Sequence, residues 1–103
     1  MRGDVHELKA PRDARGHEQR GNRFAVVVQS DLLPLSTLLV APTSTIARPT
    51  SFRPEIEING KTTYVLAEQT AAIQPERLGR IVGHLSHHEM TAVDDALRAV
   101  LGL

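Results

Sequence analysis

Two short segments of the chain carry side chains suited to gripping a phosphate. Arg15-Gly16-His17-Glu18-Gln19-Arg20-Gly21-Asn22-Arg23 precedes a run of valines, and Pro42-Thr43-Ser44-Thr45 follows a second apolar run. A guanidinium offers a planar fork of N–H donors matched to phosphate oxygens, while hydroxyls and backbone amides supply neutral donors from another side. Arg23 sits at the lip of the valine run, where the backbone is held and the side chain can turn outward. The same composition also suits an ordinary Arg-rich surface beside a Ser/Thr-rich turn, and chemistry alone leaves both open. Other constellations are weaker. His6, His17, His84, His87 and His88 include no pair spaced four apart on a helix and have no cysteine to help them, so no metal site is expected. Glycine-rich phosphate loops and nucleophile-elbow motifs are missing from the sequence.

The elements that must hold these segments follow from pattern. Asp4 to Leu8 alternates polar and apolar residues, as a half-buried strand does. Residues 11–22 have no period and read as a long loop. Phe24-Ala25-Val26-Val27-Val28 is continuously apolar, which predicts a strand buried on both faces, and residues 36–41 predict its neighbour. Pro42, lacking an N–H, is expected to end that pairing, with a second loop over Thr43 to Pro54. Asn59-Gly60 between Glu55–Ile58 and Thr62–Leu66 predicts a β-hairpin on a type I′ turn. Pro75 to Leu78 predicts one helical turn and Arg80 to Leu85 a last strand. Ser86 to Glu89 forms a capping box ahead of Met90, Val93, Leu97 and Val100 or Leu101 at helical spacing, with Gly102 as the stop. Strands plus one terminal helix without βαβ alternation predict an α+β fold, a bent antiparallel sheet or small barrel carrying a helix.

Composition narrows the class. The 103 residues suit one domain over 1–103, with 41% hydrophobic and 23% charged residues in the globular range. Twelve basic and twelve acidic residues cancel, which excludes a strongly basic nucleic-acid glue. Zero cysteines exclude a disulfide scaffold and a thiol nucleophile. No apolar run reaches the roughly 20 residues a membrane helix needs, so no membrane association and a cytoplasmic location are expected. The neutral total is uneven. Arg2, Lys9, Arg12, Arg15, Arg20 and Arg23 crowd the start, whereas Glu89, Asp94 and Asp95 face only Arg98 near the end, which predicts a positive front and a negative helix.

Taken together, Arg2-Gly3-Asp4-Val5, the Gly16-His17-Glu18-Gln19 segment, Arg23 leading into the valine run, Val40 to Thr45, Tyr64 to Gln69, and Arg77-Leu78 through Leu85 resemble the MazF/PemK family of toxin endoribonucleases over nearly the whole chain. The resemblance implies an SH3-like antiparallel β-barrel (CcdB/PemK-like) with a long C-terminal helix, assembled as a homodimer. It implies cofactor-free, metal-independent cleavage of single-stranded RNA and neutralisation by a cognate MazE-like antitoxin. Residue by residue, the catalytic Arg falls on Arg23 and the catalytic hydroxyl on Ser44, with Thr43 and Thr45 as register alternatives. His17 is a candidate general base or groove residue. Arg15, Glu18, Gln19, Arg20, Arg48, Arg53 and Gln69 are the RNA-binding candidates. An antitoxin segment would be acidic, to meet Arg15, Arg20 and Arg23. Two departures stand out: Phe24 replaces the family's usual Pro after the Arg, and Ser44 lacks the methyl that stiffens Thr. The rival reading is a CcdB-like gyrase poison, which needs no catalytic Arg. A non-catalytic SH3-like adaptor would need an exposed aromatic groove, and the chain has three aromatic residues in all.

Overall fold

A computed structural model of the chain describes residues 1–9 and 23–103. Among the described residues seven strands and one α-helix follow in order: β1 Asp4–Leu8, β2 Phe24–Val27, β3 Leu38–Ser44, β4 Glu55–Ile58, β5 Lys61–Val65, β6 Ala71–Ile73, β7 Leu78–His84 and α1 His87–Leu101. Short 3-10 turns occupy Ala67–Gln69 and Pro75–Arg77. Every strand pairing is antiparallel, in the order β4-β5-β3-β2-β1-β7, with β6 on the remaining stretch of β3. The sheet curls into a half-barrel with the terminal helix packed on it, the expected α+β architecture.

The valine run is buried on both faces, as its lack of alternation predicts. Val26 and Val28 enter the main core with Val5, Ala41, Ile56, Ile58, Val65, Leu85 and Val93, while Ala25 and Val27 join Val40 in a second cluster on the opposite face. Successive residues of a strand point to opposite faces, so a run without polar positions has to be covered twice. Leu8, Leu38, Ile73 and Leu78 supply the second cover.

The β4–β5 turn takes the predicted shape. Asn59 and Gly60 hold φ of 53° and 78°, the two positive values a type I′ turn requires, and Ile58 pairs with Lys61 across it. Both halves of the capping box form: Ser86 Oγ accepts from Glu89 N–H at 3.1 Å, and Glu89 Oε1 accepts from Ser86 N–H at 2.9 Å. Glu89 Oε2 also accepts from Glu57 N–H at 2.9 Å, fastening the helix start to the edge strand β4. Gly102 closes the helix in the left-handed region.

Four expectations need correction. Pro42 does not end the pairing, because β3 continues through it to Ser44 and Pro42 pairs with Ala25. A strand residue sends its N–H and C=O to the same edge, and the Pro42 carbonyl accepts from Leu66 N–H at 2.8 Å, away from β2. The missing N–H therefore falls where β5 has ended and β6 has not begun, and no ladder bond to β2 is lost. The second loop accordingly begins after Ser44. The negative helix is also largely neutralised: Asp94 pairs with Arg2 at 2.6 Å, Asp95 with Arg98 at 3.0 Å, and Glu89 serves the cap. Finally, Val93 and Ala96 are buried but Val100 and Leu101 are exposed, with no cover among the described residues. The loop expected over 11–22 lies outside the described residues.

Ser86→Ala should lower stability by about 1 kcal/mol, the usual worth of an N-cap. Glu89→Ala, which also loses the bond to β4, should cost about 2 kcal/mol. Urea denaturation of the two variants ranks them, and equal losses would mean the Glu57 contact contributes nothing.

Candidate active site

Register sets the geometry of the site. Ala25 pairs with Pro42 and Val26 with Ala41; continued by two residues, the same ladder sets Arg23 opposite Ser44. The alternation puts residues 23, 25 and 27 on one face with 40, 42 and 44. Because Pro42 bonds away from β2, Ala25–Pro42 is a non-hydrogen-bonded pair, and so is Arg23–Ser44, the class in which opposed side chains lie closer. The backbone here is held from the other edge as well, since the Arg23 carbonyl accepts from Leu8 N–H at 2.8 Å.

The three candidate hydroxyls are not equivalent. Thr43 faces the main core, 7% exposed, and its Oγ1 donates to the Phe24 carbonyl at 3.2 Å. That proton is engaged in holding β2 to β3. Ser44 Oγ accepts from Ile46 N–H at 3.2 Å, which leaves its own O–H to donate outward. Thr45 is exposed and lies past the end of β3. A cleft of about 300 Å³ is lined by Arg23, Phe24, Thr43, Ser44, Thr45, Ile46 and Thr63, so the guanidinium-bearing residue and the hydroxyls share one hollow.

Arg23 also lines a second cleft, with Pro42, Gln69, Ala71 and Arg77. Gln69 is exposed at the end of a 3-10 turn and lines this cleft with Arg23. Arg77 was not among the candidate residues. Its Nε and Nη2 donate to the Lys9 carbonyl at 3.2 and 3.0 Å, which fixes the guanidinium beside the cleft. Its sequence signals are the Pro75 turn that precedes it and its place in the Arg77-Leu78 segment of the family resemblance, neither of which assigns it to a site. Arg48 is exposed on the loop after β3. His17, Arg15, Glu18, Gln19 and Arg20 lie outside the described residues.

Arg53 has a different occupation. Its Nε and Nη2 donate to Glu68 Oε2 at 3.0 and 2.7 Å, its Nη1 donates to the Arg48 carbonyl at 3.2 Å, and its guanidinium carbon stands 5.6 Å from the Phe52 ring centre. With the fork so committed, Arg53 ties the loop after β3 to the 3-10 turn that carries Gln69. The Arg53 hydrogen bonds hold the Glu68 carboxyl below its ordinary value of 4.5, against the opposing push of burial. A carboxyl depressed in the folded state contributes stability that is present above its unfolded pKa and fades as pH falls through the folded one. Denaturation midpoints should therefore drop as pH is lowered below about 4.5, and Arg53→Met should flatten part of that decline. An unchanged acid limb in the variant would show that the pair carries no folding energy.

Among the described residues no three His, Asp or Glu side chains converge as a metal site would require, and no helix is long and apolar enough to cross a membrane.

Known proteins share this fold. The chain is 40% identical over 104 residues to a candidate toxin of Mycobacterium tuberculosis, covering 100% of this chain and 98% of that one. In structure it is similar to a mycobacterial endoribonuclease solved with its cognate antitoxin (TM-score 0.81, 19% identity, 100% of this chain and 95% of that one). It is also similar to the M. tuberculosis toxin MazF-mt6 (TM-score 0.78, 19% identity, 97% of each chain) and to MazF of Deinococcus radiodurans (TM-score 0.77, 21% identity, 99% and 96%). The family model of PemK-like, MazF-like toxins of type II toxin-antitoxin systems matches residues 1–101, and the chain belongs to that family.

Proposed function

We propose that this toxin is a metal-independent endoribonuclease that cuts single-stranded RNA at the Arg23–Ser44 cleft and thereby arrests translation and growth. The observation that carries the reading is the cleft lined by Arg23, Ser44 and Thr45 together, at the end of the β2–β3 ladder whose last pair is Ala25–Pro42. RNA brings its own nucleophile in the 2′-OH next to the scissile phosphate. The 2′ oxygen bonds to phosphorus as its proton leaves. The bond from phosphorus to the 5′ oxygen then breaks, and that oxygen takes up a proton. The products are a 2′,3′-cyclic phosphate and a 5′-OH.

Between these states the phosphorane carries extra negative charge, and preorganised donors aimed at it lower the barrier. Arg23 supplies cationic donors to its oxygens. Ser44 donates a hydrogen bond to a non-bridging oxygen, with its own oxygen restrained by Ile46 N–H. An arginine stays protonated in nearly every setting, so proton removal from the 2′-OH needs another group, and His17 is the residue of suitable ordinary pKa. Gln69 and Arg48 extend the contact to flanking nucleotides, together with Arg15, Glu18, Gln19 and Arg20. Arg53 acts through the loop it holds.

The mycobacterial endoribonuclease of like fold was solved with its cognate antitoxin, which supports a MazE-like partner here. That partner would cover the cleft with an acidic segment ordered on binding. Exposed Leu32, Leu33, Leu35, Leu101 and Leu103 support assembly as a homodimer, where such surface becomes buried. Cytoplasmic action follows from an RNA substrate.

Labelled RNA incubated with the protein in EDTA should be cut, leaving ends that carry a cyclic phosphate. Arg23→Ala should slow cleavage by about 10²–10³ or more with folding intact. Ser44→Ala should slow it about tenfold, the worth of one lost hydrogen bond. RNA left whole by the wild-type protein would overturn the reading and favour a gyrase-poisoning toxin, and damage from Thr45→Ala with Ser44→Ala harmless would move the hydroxyl by one residue.

A further inference from the structure

Beside the cleft that holds Ser44 lies a hollow of about 400 Å³ lined by Phe24, Thr45, Ile58, Asn59, Lys61 and Thr63, and Phe24, Thr45 and Thr63 line both. On the other flank, Arg23 lines the cleft that contains Gln69 and Arg77. Arg23 therefore lines two neighbouring clefts, one of them also lined by Arg77, and the hollow with Lys61 adjoins the other through Phe24, Thr45 and Thr63. Among the described residues no carboxylate lines the hollow at the β4–β5 turn.

Its chemistry is that of a nucleotide site. Phe24 and Ile58 offer an apolar wall against which the flat face of a base can lie. Thr45 and Asn59 offer hydrogen-bonding groups at the base edge, and Lys61 offers a point charge for a phosphate. Phe24 is well placed among the chain's three aromatic residues: Phe52 lies against the Arg53 guanidinium, and Tyr64 lines none of these clefts. The polar groups are also preorganised, because a two-residue turn with both φ values positive fixes Asn59 and holds Lys61 paired with Ile58.

Resting on the ribonuclease reading above, we infer that this hollow is a base-selective subsite. It takes the nucleotide adjoining the scissile phosphate, with the base against the Phe24 ring and the phosphate toward Lys61. Phe24 is then a specificity-determining residue, and Lys61 contributes affinity without regard to sequence.

The test uses a short random-sequence RNA carrying 2′-fluoro sugars, which binds without being cut, together with mapping of 5′ ends in a cleaved transcript mixture. Phe24→Leu keeps an apolar side chain and should weaken binding about tenfold while flattening the base preference at one position beside the cut. Lys61→Gln, on the exposed turn, should weaken binding evenly across sequences and reduce the log–log salt slope by about 0.7, one phosphate contact on a single strand. The inference falls if the wild-type protein cuts RNA and Lys61→Gln retains its full affinity and salt slope. It falls equally if a folded Phe24→Leu variant keeps the wild-type cleavage pattern. RNA neither bound nor cut by the wild-type protein would remove the ribonuclease reading and this subsite with it.

Discussion

The register between β2 and β3 is the constraint on which the site depends. A shift of one residue would turn every side chain of a strand to its other face. Here it would send Ser44 toward the core and bring Thr43 out opposite the guanidinium. The double burial of the valine run prevents that slip, because Val26 and Val27 belong to different clusters and neither face tolerates the other's neighbours. Pro42 sits inside the same ladder without weakening it, since its missing N–H would face the gap between β5 and β6. The backbone at Arg23 is thus fixed by pairing with its neighbours and by packing farther along both strands.

Charge is arranged on the same principle. The neutral total conceals acids engaged inside the fold. Asp94 holds Arg2, Asp95 holds Arg98, Glu68 holds Arg53, and Glu89 accepts from two backbone amides. None of these acids lines the clefts around Arg23 or the adjoining hollow, where Arg77, Lys61 and the hydroxyls of Thr43, Ser44, Thr45 and Thr63 stand instead. Among the described residues, these four acids are committed to partners away from the clefts that Arg23 and Lys61 line.

Much of this was legible in the residues, and the failures have physical causes. Asn59-Gly60 and the Ser86–Glu89 box were readable because each encodes a local geometry that few other residues can adopt. Pro42 was misread because the rule against proline in strands concerns a donor, and the sequence does not show which edge that donor would face. β6 went unassigned: Ala71-Ala72-Ile73 has no alternation, and the strand forms through its pairing with Leu38, Leu39 and Val40. Arg53 looked like a phosphate contact, since nothing local signals that Glu68, fifteen residues on, takes up its fork. Arg77 failed in the opposite sense, because only the folded chain brings it beside Arg23.

The two departures from the family pattern are compensated within the same few residues. Serine lacks the methyl that confines a threonine hydroxyl to few rotamers. At position 44 the Ile46 N–H binds Oγ and limits where the O–H can point, so a hydrogen bond takes over part of the stiffening that a β-branch provides. Phe24 where the family usually has proline restores an N–H, and the continued register turns that group toward β3 beside Thr43. Thr43 Oγ1 returns a bond to the Phe24 carbonyl, so the two strands are tied at the residue next to Arg23. The ring that arrives with that N–H occupies the junction of two clefts, where a proline would present far less surface to a base. A substitution that tightens the ladder thereby also alters the wall that the two clefts share, and in the proposed ribonuclease this ties the Arg23–Ser44 pair to the choice of nucleotide beside it.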